Sequence, residues 1–288
     1  MARKSTARRA RATAGGRGPD AAHEAKQVFA RGLALHQQGQ LAEASACYQQ
    51  ALTLDARHFG ATHLLGVIAH QEGRNEAAVE LIGRALTINP QAETAYSNLG
   101  VALKKLGRFD EACASYGRAI ELRPDYAEAH YNLGLTLQDM GRLHDALACY
   151  ERAITIKPDY ADAHNNRGLM LQRLDQLPQA VECYVRALQL RPDYYEALNN
   201  LGLACQEQGR LQDAVACYER AIALRPQMAE AYWNESLALL VQGDMARGWP
   251  LYERGLECGQ RASVRSFTQP AWRGETSVQS KTVLLYAE

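Results

Sequence analysis

The chain matches itself when shifted by 34 residues, and no other feature constrains its fold as strongly. Seven units follow one another: 25–58, 59–92, 93–126, 127–160, 161–194, 195–228 and 229–262. A period between about 20 and 50 residues marks a stacked array, in which each unit buries its apolar surface only against its neighbours. The fourth unit, "AEAHYNLGLTLQDMGRLHDALACYERAITIKPDY", shows the local physics. Leu133, Leu137 and Met140 follow helical spacing and predict a first helix from Ala127 to about Met140. Gly141 supplies the turn, as Gly39, Gly73, Gly107, Gly209 and Gly243 do in their units. A second helix is expected from about Leu143 to Ile156, with Ala146, Leu147, Tyr150, Ala153 and Ile154 on one face and Pro158 closing it.

Between units, Asp125, Asp159 and Asp193 are placed to cap the next first helix. Asp125 with Glu128 and Asp193 with Glu196 have the spacing of a capping box. Gly134 and Ala146 fall where the two helices of a pair come closest, and the tyrosine of the second helix fills the space between neighbours. Cys47, Cys149, Cys183 and Cys217 share one position of the unit, each followed by tyrosine. Equivalent positions in stacked helices lie ~8–10 Å apart, too far for a disulfide. They read as small buried residues of a reducing compartment, and without a CxxC pair they suggest no zinc site.

The bulk properties narrow the function. Lysine plus arginine equals aspartate plus glutamate at 32 each, so the body of the chain advertises no polyanionic partner, and nucleic acid is not the expected ligand. No apolar run reaches the roughly 18–20 residues of a membrane span. The opening "MARKSTARRARATAGGRG" is basic without the apolar stretch of a secretory signal, so residues 1–24 read as a disordered basic leader and the chain as cytoplasmic.

The glycine eight residues into the first helix, the two alanines and the tyrosine of the second, and the closing proline resemble the tetratricopeptide repeat, and they do so across residues 25–262. That resemblance implies an all-α fold, a right-handed superhelical solenoid of seven helix–turn–helix repeats whose first helices line the concave side. Departures fall at defined places: Arg31 and Ala56 in the first unit, Asp175 for the turn glycine in the fifth, and Ser236, Gly248, Gly255 and Gln260 in the seventh, which reads as a cap or junction.

Positions two, six, nine and thirteen of each first helix share one stripe. Position six carries Asn98, Asn132, Asn166, Asn200 and Asn234, although asparagine is a mediocre helix former. Position nine is aliphatic throughout, position two carries Glu128, Asp162, Glu196 and Glu230, and position twelve carries Gln138, Gln172 and Gln206. An amide offers two donors and an acceptor, enough to satisfy both backbone groups of an extended peptide. The row resembles the asparagine ladder lining the repeats of protein O-linked N-acetylglucosamine transferases, which implies Asn98, Asn132, Asn166, Asn200 and Asn234 as peptide-backbone ligands. The alternative is that these asparagines bond neighbouring repeats or face water.

No catalytic constellation stands out. His130 and His164 share position four with Tyr96 and Tyr232 and read as packing residues. His58, His63 and His70 lack metal-ligand spacing, and Asn234-Glu235-Ser236 is a formal glycosylation sequon placed inside a helix. No catalytic residue, cofactor or metal is expected in this chain. The chain reads as a scaffold that binds a protein or peptide in its groove, with self-association through the terminal repeats as a further expectation. Residues 263–288 break the period: a Pro-, Gly- and Ser-containing linker ends in "KTVLLYAE", a strand-like run. With "GDMARGWPLYERG" and "FTQPAWRGE", it resembles the junction of bacterial tetratricopeptide proteins that continue into a heptosyltransferase-like glycosyltransferase domain. That reading makes the repeats a substrate-recognition arm with catalytic residues beyond Glu288. The alternative is a cap in which Phe267 and Trp272 pack over the last helix pair.

Overall fold

The computed structural model describes residues 19–258, and among these every regular element is an α-helix. Two compact units divide the chain after Met140. The first contains α1 (Pro19–Gln37), α2 (Leu41–Leu54), α3 (Phe59–Gln71), α4 (Asn75–Ile88), α5 (Glu93–Lys105), α6 (Phe109–Leu122) and α7 (Ala127–Asp139). The second contains α8 (Leu143–Ile156), α9 (Ala161–Arg173), α10 (Leu177–Leu190), α11 (Tyr195–Glu207), α12 (Leu211–Leu224), α13 (Ala229–Val241) and α14 (Met245–Cys258). Within each unit a first helix packs on its own second helix, and that second helix packs on the first helix of the next repeat, as the period requires. The expected leader boundary falls inside α1, which begins at Pro19. Residues 1–18 and 259–288, with the readings attached to them, Gln260 included, lie outside the described residues.

The turn glycines adopt the left-handed conformation, as at Gly107 with φ 71°, where Arg108 N–H closes the helix on the Leu103 carbonyl at 3.0 Å. In the fifth repeat Asp175 takes the same conformation, φ 59°, and Gln176 N–H reaches the Leu171 carbonyl at 2.9 Å. Aspartate is among the few residues that tolerate this region, so the missing glycine leaves the turn unchanged. The capping expectation fails. The residues at the N-caps of α7, α9 and α11 are Tyr126, Tyr160 and Tyr194, and none makes a side-chain cap bond. The preceding proline closes a turn, seen in Tyr126 N–H to Arg123 O at 3.1 Å, which leaves each aspartate one residue ahead of the cap. The arginines of two of these turns lie instead over tyrosine rings, Arg123 on Tyr126 at 3.5 Å and Arg191 on Tyr194 at 4.4 Å.

The core is a column of small-against-large contacts. Tyr48, Tyr116, Tyr150, Tyr184 and Tyr218 are completely buried. A methyl group on Gly32, Gly100, Gly168 or Gly202 would stand 2.4–2.7 Å from the tyrosine ring of the same repeat. The second repeat keeps the fit with Ile82 against Gly66. The seventh departs: Ser236 replaces glycine, and Tyr252 stacks at 4.6 Å on Trp233. The tyrosine hydroxyls find position twelve of their own first helix: Tyr184 donates to Gln172 Oε1 at 2.8 Å, Tyr218 to Gln206 Oε1 at 3.1 Å, and Tyr48 meets His36 Nδ1 at 3.3 Å. The third repeat has Lys104 there, turned to Asp139 at 3.1 Å, and the buried Tyr116 hydroxyl makes no well-formed hydrogen bond, with Thr136 beside it.

Three substitutions test these contacts. Gly202→Ala forces a methyl into Tyr218 and should cost about 1–3 kcal/mol, whereas Gly83→Ala in α4, with open space around it, should stabilise by roughly 0.5–1 kcal/mol; urea unfolding reads both. Lys104→Gln should supply the Tyr116 hydroxyl with its acceptor and raise stability by about 1 kcal/mol, with no gain in a Tyr116→Phe background.

Candidate interaction face

The five asparagines fall on successive first helices, Asn98 and Asn132 in the first unit and Asn166, Asn200 and Asn234 in the second. Asn98, Asn132, Asn166 and Asn200 are half-buried, whereas Asn234 is only 8% exposed. Three of them, Asn98, Asn200 and Asn234, bond between repeats. Asn200 Nδ2 donates to Asn165 Oδ1 at 3.0 Å, and Asn234 Nδ2 donates to Asn199 Oδ1 at 3.0 Å. Asn98 Nδ2 meets His63 Nε2 at 3.0 Å, an acceptor when the ring proton sits on Nδ1. Each contact spans 35 residues, so position six of one repeat clasps position five of the repeat before it. The accepting residues are themselves held: Asn165 Nδ2 donates to Asn166 Oδ1 at 3.2 Å, and Asn199 Nδ2 to Glu230 Oε1 at 3.3 Å. Sequence reasoning missed Asn165 and Asn199. Their doubling with the ladder residue, "HNN" and "LNN", was the available signal.

The glutamines of position twelve are not open groove amides. Gln172 and Gln206 accept the tyrosine hydroxyls, and Gln172 Nε2 also donates to Glu207 at 2.7 Å. Of the acidic row, Asp162 is held by Arg191 through two bonds of 2.9 and 3.0 Å; burial opposes its ionised form, but Arg191 and Tyr194 outweigh it and the carboxyl stays below its ordinary range. The histidines take structural duties. His130 and His164 contact the Pro124 and Pro158 carbonyls at 3.1 and 3.0 Å, His58 accepts the Ala61 N–H as the cap of α3, and His70 meets Asn75 at 2.7 Å. Burial holds His63 and His164 below the usual imidazole range. Among the described residues no group of histidine, cysteine and carboxylate side chains is arranged to hold a metal, and no helix is long and apolar enough to cross a membrane.

The last repeat carries a carboxyl that sequence reading passed over except as part of a sequon. Glu235 is 3% exposed on α13, 3.6 Å from Arg247 of α14, which also pairs with Glu219 of α12 at 2.7 Å and approaches Asp244 at 3.9 Å. Burial and the neighbouring Glu219 push Glu235 up to about 7, against the opposing pull of Arg247.

The fold and this face define a class: stacked helix pairs whose first helices present a half-buried amide row. Family models described as TPR repeat match residues 102–141, and models described as tetratricopeptide repeat match 127–160, 159–227, and 29–93 with 206–263. The chain is a tetratricopeptide-repeat protein. No curated protein sequence matches it. Among solved structures it is similar to PilF of Pseudomonas aeruginosa (20% identity, 73% of this chain and 96% of that one, TM-score 0.66). A second is a tetratricopeptide repeat protein from Parabacteroides merdae (15% identity, 84% and 96%, TM-score 0.64). A third is YrrB, described as a TPR protein with an unusual peptide-binding site (21% identity, 64% and 95%, TM-score 0.54). At these identities the likeness concerns the fold.

Glu235 gives the face a pH dependence with a definite sign. A carboxyl raised in the folded state favours its protonated form there, so its stabilising contribution is present at acid pH and is lost as pH rises from its ordinary 4.5 through about 7. Hydrogen-exchange protection of α13 and α14 should fall between about pH 4.5 and about pH 7, and Glu235→Gln should flatten that fall.

Proposed function

We propose that the chain is a protein-interaction scaffold that holds an extended peptide against its first helices, with Asn98, Asn132, Asn166, Asn200 and Asn234 as main-chain ligands. The observation that carries this reading is how little of each amide the clasp uses. Asn98 and Asn200 each engage one N–H with the preceding repeat, and an amide has a second N–H and a carbonyl oxygen with two lone pairs. At these two positions the clasp fixes the rotamer of the side chain, so a ligand meets an amide already oriented and loses less entropy on binding. Position nine lies one turn further along the same stripe and supplies half-buried Val101, Leu135, Leu169 and Leu203 as an apolar floor. Asn234, at 8% exposure, is the weakest of the five rungs. The peptide-binding site attributed to YrrB supports the same use of a related fold. The repeat-spaced cysteines suit a reducing, cytoplasmic setting. A second reading, the substrate-recognition arm of a glycosyltransferase, rests on the resemblance of residues 243–255 and 263–288 alone.

The test is a peptide-array screen of the whole chain, followed by calorimetry on a selected peptide. A variant with Asn98, Asn132, Asn166 and Asn200 changed to alanine should lose at least tenfold in affinity while keeping its helical circular dichroism. Scrambling the peptide's side chains should cost less than N-methylation of its backbone amides. Equal affinity of a folded quadruple variant would remove the ladder from the mechanism.

A further inference from the structure

The stripe that carries the asparagines does not stay polar. Position six is Leu64 in the second repeat and Ala30 in the first, while position nine continues as Val67 and Leu33. The clasp explains where the amides stop. A clasping asparagine donates to position five of the repeat before it, and for residue 64 that position is Phe29, which has no acceptor to offer. Leu64 and Phe29 instead pack on one cluster around Tyr48. Leu64 and Val67 are half-buried, Ala30 is exposed, and Leu33, at 38%, is the most open residue of the position-nine row. The helices differ in the same way: α3 approaches α5 directly and α5 approaches α7, whereas α1 and α3 make no comparable approach. All of this lies in the first compact unit with Asn98 and Asn132, so a single stripe there runs from amide to hydrocarbon.

That change decides what a ligand can present. A main chain laid over Ala30 and Leu64 finds no donor or acceptor, and a carbonyl or N–H pressed onto hydrocarbon loses its water without replacement. An apolar side chain gains from the same loss of water. A segment whose backbone is held at Asn98 and Asn132 therefore turns a side chain, and not its main chain, toward the first two repeats. Strand addition divides its labour in this way, with main-chain bonds giving affinity and side-chain pockets giving selectivity. The basic residues 1–18 hold no large apolar side chain after Met1, so they do not supply that group.

We propose that the concave face of the first two repeats is the selective end of the groove, where Leu33, Leu64 and Val67 take one leucine-, methionine- or phenylalanine-sized side chain of the bound peptide. This rests on the peptide reading above and gives its ligand a class: an extended segment with a single apolar anchor near one end and little other sequence requirement.

Fluorescence polarisation with the whole chain tests this. The probes are labelled glycine, serine and alanine peptides of about twelve residues, long enough at ~3.3 Å per residue to cross three or four first helices ~8–10 Å apart. One series carries a single leucine or phenylalanine at each position in turn, and one plain peptide carries none. Peptides anchored near one end should bind about tenfold or more tighter than the plain peptide. Leu33→Gln combined with Val67→Thr should abolish that advantage, leave the plain peptide's affinity unchanged and keep the helicity. The variant with four asparagines changed to alanine should instead weaken both kinds of peptide alike and leave their ratio unchanged. Binding indifferent to the anchor, or an advantage that survives the Leu33 and Val67 changes, would overturn the anchor pocket with the ladder still standing. Full affinity in the four-asparagine variant would remove the ladder with the pocket still standing, and no binding by any peptide would overturn both. A mass that rises with concentration by light scattering, and returns to the monomer value in the Leu33 and Val67 variant, would place a second copy on this face and overturn the proposal.

Discussion

The contact on which the rest of this structure depends is that between a glycine of each first helix and the tyrosine of its second. The absence of a side chain at Gly100, Gly168 or Gly202 lets a whole aromatic ring lie where a methyl would collide, and that sets the spacing of the pair. Once the ring is enclosed, its hydroxyl must be satisfied, and Gln172 and Gln206 are held in place to do so. The glutamine row on the first helices thus follows from the packing of the helix behind it. A reading that assigns those amides to a ligand mistakes the far end of a core contact for the near end of a groove.

Asparagine at position six answers a different demand. Packing within a pair cannot set how one first helix meets the next, because the second helix stands between consecutive pairs. Asn200 on Asn165 and Asn234 on Asn199 tie first helix to first helix directly along the exposed face. A polar bond at a half-buried edge contributes only about 1 kcal/mol, but it specifies angle as well as distance. The residue that looked awkward in a helix serves as a connector with bonding capacity left over, so structural and ligand-binding roles need not compete for the same atoms.

The period made the helices, their pairing and the turns legible before any coordinate. Ala127–Asp139 and Leu143–Ile156 lie where the spacing of Leu133, Leu137, Tyr150 and Ile154 puts them. What stayed hidden involved offsets that the period does not carry. The clasp spans 35 residues, one more than the repeat, so comparing like positions cannot pair Asn200 with Asn165. The capping aspartates failed by a single residue, since the Pro-Asp-Tyr turn is set by the proline ring and leaves tyrosine at the cap. Glu235 was invisible as a buried acid because position seven is leucine in most repeats and only the fold brings Arg247 across to it.

The seventh repeat shows what happens when the founding contact is lost. With Ser236 in the glycine position, Tyr252 moves out to stack on Trp233, and Gly248 and Gly255 replace the two alanines. Their bare α-carbons let α14 close on α13: a methyl on Gly248 would strike Leu240 at 2.7 Å, and one on Gly255 would stand 3.1 Å from the Trp233 backbone. The small residues have changed sides, from the first helix to the second, so the pair still forms while its aromatic mass shifts outward to Tyr252 and Trp249. The exposure of Trp249 on the last described helix is therefore a geometric consequence of how that pair is built.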